Sequence, residues 1–82
     1  MNKRIGIITH VFDRIGVAIV YLEDNLKIGD VIRISGKNAE FTQTVDSMQV
    51  DRQGIDSAQK GATVGIKVND SVQEGDEIFL VE

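Results

Sequence analysis

Apolar and polar residues alternate with a period of two through most of this chain, and the spacing of an amphipathic helix is nearly absent. Residues 4–12 are rich in Ile, Val, Thr and Phe and predict a first strand. Val17–Leu22 is apolar throughout, the pattern of a strand covered on two sides. In Val31–Ser35, Ile32 and Ile34 share one face, Arg33 and Ser35 the other. Residues 39–51 carry a phase error, because Phe41 and Val45 have one parity and Met48 and Val50 the other. A strand keeps both sets on the core side only with an added residue, so a β-bulge is expected near Asp46-Ser47. Residues 64–68 and 77–81 bring the count to six strands. Gly36-Lys37-Asn38 and Arg52-Gln53-Gly54 read as turns, and Asp56 as the cap of one helical turn over residues 57–60 that Gly61 stops.

Two segments repeat one message. Leu26-Lys27-Ile28-Gly29-Asp30-Val31-Ile32 and Val72-Gln73-Glu74-Gly75-Asp76-Glu77-Ile78 both read apolar-x-x-Gly-Asp-x-Ile. An apolar plug enters a tight turn, glycine supplies backbone freedom, and aspartate opens a new strand. A degenerate third copy is Ala58-Gln59-Lys60-Gly61-Ala62-Thr63-Val64. Three such turns in 82 residues predict one all-β domain over residues 1–82, a small six-stranded antiparallel β-barrel.

Composition narrows the function classes. With 13 acidic and 9 basic residues the net charge is −4, so no global field draws phosphates, and RNA contact would need a local patch. The absence of cysteine excludes disulfides and thiolate metal sites and fits a reducing, cytoplasmic setting. No signal peptide is expected, since the opening apolar run meets Thr9-His10, and no run is long enough to span a membrane. Asn69-Asp70-Ser71 matches the glycosylation pattern but reads as a turn.

Candidate chemistry is sparse. His10 is the sole histidine, with Asp13 across a turn, and reads as a strand-face imidazole rather than a catalytic base. One histidine and no cysteine leave only carboxylates for a metal, and neither Glu23-Asp24 nor the acidic run at 74–77 has the spacing of a calcium loop. Asp30 and Asp76 occupy equivalent turn positions, where each is expected to accept backbone N–H bonds in its own turn. No catalytic residue, metal or cofactor is assigned. Phe12 is placed in the core. A partner-contact surface is expected from Arg14, Val17, Tyr21, Arg33 and Lys67, if Arg14, Arg33 and Lys67 face outward on adjacent strands.

The Leu26–Gly36 stretch, Val45-Asp46-Ser47-Met48, the Ala58-x-x-Gly61-x-x-Val64-Gly65-Ile66 run and the closing Gly75-Asp76-Glu77-Ile78 resemble the second domain of elongation factor Tu and its translation-GTPase relatives. One departure is Gly61-Ala62, where that family has Gly-Asp. The chain is also similar to the barrel at the C-terminus of collagenase-like peptidases. The resemblance implies a barrel of the translation-protein type without the phosphate loop of a GTPase. It implies a non-catalytic binding module contacting RNA, the ribosome or a protein partner. The region matching the acceptor-end site would be residues 6–17, where only Val17-Ala18 keeps the family's character. The second expectation is an accessory barrel for a collagenase-like peptidase, and the third a self-associating subunit, because Val17–Leu22 has more apolar residues than one buried face needs.

Overall fold

The computed structural model describes residues 2–37 and 40–81. Asn38 and Ala39, where one turn and the start of one strand were expected, lie outside the described residues. Ten strands follow in order: β1 (Asn2–Phe12), β2 (Val17–Leu22), β3 (Leu26–Lys27), β4 (Val31–Ser35), β5 (Glu40–Thr44), β6 (Met48–Val50), β7 (Gln53–Ile55), β8 (Ser57–Ala58), β9 (Thr63–Lys67) and β10 (Glu77–Val81). The described residues contain no helix, and so none long and apolar enough to cross a membrane. Eight strands form one antiparallel sheet in the order β5-β4-β10-β1-β2-β9-β6-β7, and β3 pairs with β8. Inward side chains, among them Ile5, Ile8, Val20, Leu22, Ile32, Ile34, Ile66 and Ile78, make one continuous core.

The repeated heptads fold alike. In each, the fourth turn residue donates its N–H to the first residue's carbonyl: Asp30 to Lys27 at 3.1 Å, Ala62 to Gln59 at 3.0 Å, Asp76 to Gln73 at 3.1 Å. The third residue is glycine with φ of 95° at Gly29, 91° at Gly61 and 93° at Gly75, the left-handed position a type II turn requires. The plugs Leu26, Ala58 and Val72 are buried, as are Ile32, Val64 and Ile78 two residues beyond each turn. Leu26 and Ala58 also face each other across the β3–β8 pair.

Each turn also grips a strand. Gly29 donates to the Val45 carbonyl at 2.9 Å and the Val45 N–H returns to the Asp30 carbonyl at 2.8 Å. Gly61 and Ala62 bracket Leu22 in the same way, with both bonds at 2.8 Å. Gly75 and Asp76 bracket Ile8, again with both bonds at 2.8 Å. Each clamped residue is a buried aliphatic.

These clamps correct several sequence expectations. Residues 45–47 leave the ladder, so the expected bulge near Asp46-Ser47 is a break between β5 and β6. Val45 belongs to the first turn's clamp there, and Val45 and Met48 both stay buried despite their opposite parity. The register of β1 against β2 shifts between Ile8 and His10, where the third turn docks. The sheet is not closed into a barrel: its backbone ladder runs from β5 to β7 without joining, and the described residues form ten strands where six were expected. One side chain reaches across from β5. The buried Gln43 carboxamide donates to the Lys67 carbonyl at 2.9 Å and accepts the Asn69 N–H at 2.8 Å, as a peptide group would. The helical turn expected at 57–60 is instead β8, because Ala58 is drawn against Leu26. The turn expected at Arg52-Gln53-Gly54 centres on Asp51 and Arg52, both at positive φ, and Gly54 lies in β7.

Two outcomes follow for stability. Asp76 is 4% exposed, its Oδ2 accepts the Gln73 N–H at 2.9 Å, and a Cβ on Gly36 would lie 1.9 Å from its Oδ1. Asp30 makes the equivalent bond to the Lys27 N–H at 3.0 Å but is only half-buried. Asp76→Ala is expected to cost about 1–3 kcal/mol by urea unfolding, and Asp30→Ala less, since only the first leaves a well-buried gap beside an unpaired donor. Gln43→Leu is expected to cost a similar amount by urea unfolding, because it strands a carbonyl and an N–H together, while Gln53→Leu on the exposed β7 leaves stability within error.

Candidate protein-contact face

β2 presents Ala18, Val20 and Leu22 to the core and Val17, Ile19 and Tyr21 to the outside. Its neighbours extend that outer face. Val17 pairs with Phe12 of β1 and Lys67 of β9, Ile19 with His10 and Gly65, and Tyr21 with Ile7 and Thr63. Phe12 is 46% exposed and Tyr21 44%. The β1–β2 turn adds Ile15 at 62%, which in a turn has no core to enter. The expectation that Phe12 is a core residue is therefore corrected: after the register shift in β1, it and His10 point away from the interior, their rings meeting edge-on at 4.7 Å.

Opposite the β1–β2 turn stands the β6–β7 hairpin. Val50 pairs with Gln53, so Asp51 and Arg52 form a two-residue loop with φ of 51° and 67°. Both central residues of such a loop must be left-handed for its twist to match the strands, and glycine is usual at the second. Arginine there carries backbone strain. Between hairpin and turn lies a groove of about 470 Å³, lined by Phe12, Ile15, Val17, Ile19, Val50 and Arg52 among others.

Of the five residues expected to meet a partner, the structure gathers Val17, Tyr21 and Lys67 on this face, with Arg14 in the turn beside it. Arg33 stands apart. It lies on β4, three strands from β2 in the sheet, and is paired with Glu40. The basic patch expected from Arg14, Arg33 and Lys67 therefore does not assemble. Lys3 with Asp24, and Arg4 with Glu23 at 3.3 Å and Glu77 at 3.1 Å, spend further cations on internal pairs. A second hollow of about 680 Å³, lined by Asp13, Asp70 and the chain at 68–73, has no Lys or Arg in its wall and would repel phosphate. Sequence reasoning missed Ile15, Arg52 and Gln43. An isoleucine inside a turn was the available signal for the first, while nothing local marked the other two.

The remaining chemistry is structural. His10 Nδ1 lies 3.3 Å from Glu74 Oε2, and both partners are well exposed. No group of three His, Asp or Glu side chains able to hold a metal occurs among the described residues. Asp30 and Asp76 each bond the N–H three residues back, the structural role expected of them. Glu40 is held below the usual carboxylate range by its hydrogen bond from Arg33 and then by one from Ser35, and Asp24 likewise by Lys3 and the Asn25 N–H. A carboxylate with a lowered folded pKa stabilises the fold above its unfolded value, near 4.5 for Glu40, and that contribution disappears as pH falls through the folded value.

No family model matches the chain. It is 38% identical over 79 residues to an uncharacterised protease of Methanocaldococcus jannaschii, a match that covers 95% of this chain and 19% of that protein. The chain thus spans about a fifth of that relative's length. Its fold matches the crystal structure of the C-terminal domain of a Geobacillus thermoleovorans protein described as a U32 peptidase, with a TM-score of 0.90, 18% identity, and coverage of 98% of this chain and 93% of that one. The selenomethionine variant of the same domain gives 0.87 and 19%, covering 93% and 96%. These similarities support the collagenase-like peptidase side of the resemblance and lend none to the translation-factor side.

Arg33→Gln is expected to raise Glu40 toward the ordinary carboxylate range in a side-chain NMR titration, with the Ser35 bond keeping part of the shift and Asp24 unmoved; an unchanged Glu40 would contradict the pairing.

Proposed function

We propose that this chain is a non-catalytic accessory domain that accompanies a collagenase-like peptidase body and leaves the chemistry to it. The supporting observation is the 38% identity to a protease along 95% of this chain, confined to a fifth of that protease, together with the fold shared with a peptidase C-terminal domain. The physical reading agrees. Among the described residues the only buried polar side chains, Gln43 and Asp76, are committed to backbone groups, so no dry cleft holds a free acid, base or nucleophile. A translation role would need a phosphate-facing cationic surface, and Arg4 and Arg33 are tied to carboxylates.

Affinity capture with the tagged chain from its native cells, with and without ribonuclease, tests the proposal. A protein related to the U32 peptidases should be recovered in both samples at moderate salt. Recovery of ribosomal material alone, lost on ribonuclease treatment, would overturn it.

A further inference from the structure

The groove-lined face of β1, β2 and β9 carries three observations that belong together. Its residues are apolar, with Phe12, Ile15 and Tyr21 exposed and Val17 and Ile19 half-buried between them. Its rim holds the strained Asp51-Arg52 loop. Besides Lys67 on β9, its charges come as two adjacent Asp-Arg pairs, Asp13-Arg14 in the β1–β2 turn and Asp51-Arg52 in the hairpin. All four are exposed and none makes an ion pair among the described residues, although Lys3, Arg4, His10 and Arg33 each find a carboxylate.

That charge pattern selects the occupant. The two turns sum to zero, with both signs at each end of the apolar strip, so an acidic or a basic partner would meet like charge at one position or the other. A two-fold interface sets residue i of one copy against residue j of the other and repeats the contact in reverse. We propose that this face pairs two copies of the chain about such an axis, with Arg52 of one copy opposite Asp13 of its partner and Arg14 opposite Asp51. Phe12 and Ile15 enter the groove between them. A stable dimer covers about 800 Å² per partner, roughly a sixth of the 5169 Å² that this chain exposes. The strain at Arg52 fits this arrangement, because a left-handed arginine is kept where its side chain, and not its backbone, is needed. The inference is independent of the peptidase reading.

Sedimentation equilibrium of the purified chain over roughly 1–100 µM should show the mass rising from one copy to two. Ile15→Glu should weaken the dimer by at least about tenfold with an unchanged circular dichroism spectrum, since Ile15 is exposed in the monomer. Arg52→Asp and Asp13→Arg should each weaken it, and the two together restore it, which a structural role for either residue would not produce. Arg52→Gly should raise the melting temperature of the dilute monomer while loosening the dimer. A monomer at every concentration would overturn the proposal and leave the face to a different protein. A dimer indifferent to Ile15→Glu, or no recovery in the charge-swapped double variant, would overturn it equally.

Discussion

The fold depends on one device used three times: a type II turn whose glycine N–H and following carbonyl seize both backbone groups of a buried aliphatic residue on another strand. Val45, Leu22 and Ile8 are those residues. The device couples local and long-range order. The left-handed glycine sets the turn, the turn aims an N–H and a carbonyl, and the clamp fixes where a distant strand must lie. Each turn then launches a strand, β4, β9 or β10, whose second residue enters the core. Because backbone atoms make the clamp, it survives loss of the turn's aspartate. Ala62 replaces aspartate in the middle copy and loses the carboxylate bond, yet its clamp has the same geometry as the others.

Clamping has consequences beyond the turns. A strand residue that gives both backbone groups to a turn cannot also serve a full ladder on that side. The sheet answers with a break at 45–47 and a register shift after Ile8. The shift in β1 turns His10 and Phe12 outward next to Ile19 and Val17, so a device that builds the core also creates the exposed apolar face. The break between β5 and β6 parts the ladder, and Gln43 supplies by side chain the bonds that a neighbouring backbone would have made. Core and contact surface are two products of one constraint.

Much of this was legible in the chain. The extents of β2, β4 and β10, the three turns and the structural use of Asp30 and Asp76 follow from alternation and from glycine before aspartate, both local signals. The phase error at 41–50 announced an irregularity, but whether it would be a bulge or a break depends on Gly29 and Asp30 docking there, which no local pattern encodes. Ser57-Ala58 has a capping residue before it and reads as a helical turn until Leu26 is known to lie opposite. Arg52 was invisible because propensity assigns the turn to Gly54, while the short β6–β7 pairing places it one step earlier. The site was legible only in half. Val17, Tyr21 and Lys67 are brought together because strand alternation puts them on one side, whereas Arg33 is separated by strand order, which alternation does not report.

An enzyme keeps some polar groups buried and uncommitted, since a reacting substrate needs acids, bases or donors that water has not already satisfied. This chain does the reverse. Its buried polar atoms are consumed in holding turns and crossing a gap, while its uncommitted groups, the exposed aromatics and the Asp-Arg turns, lie on the outside. Among the described residues, exposed apolar groups and unpaired charges gather on the β1–β2–β9 face, while the buried polar side chains are already hydrogen-bonded. That division is what a domain accompanying a separate catalytic body requires. In the arrangement proposed above, the peptidase body supplies the reacting groups, and this domain supplies a surface whose shape three backbone clamps hold in place.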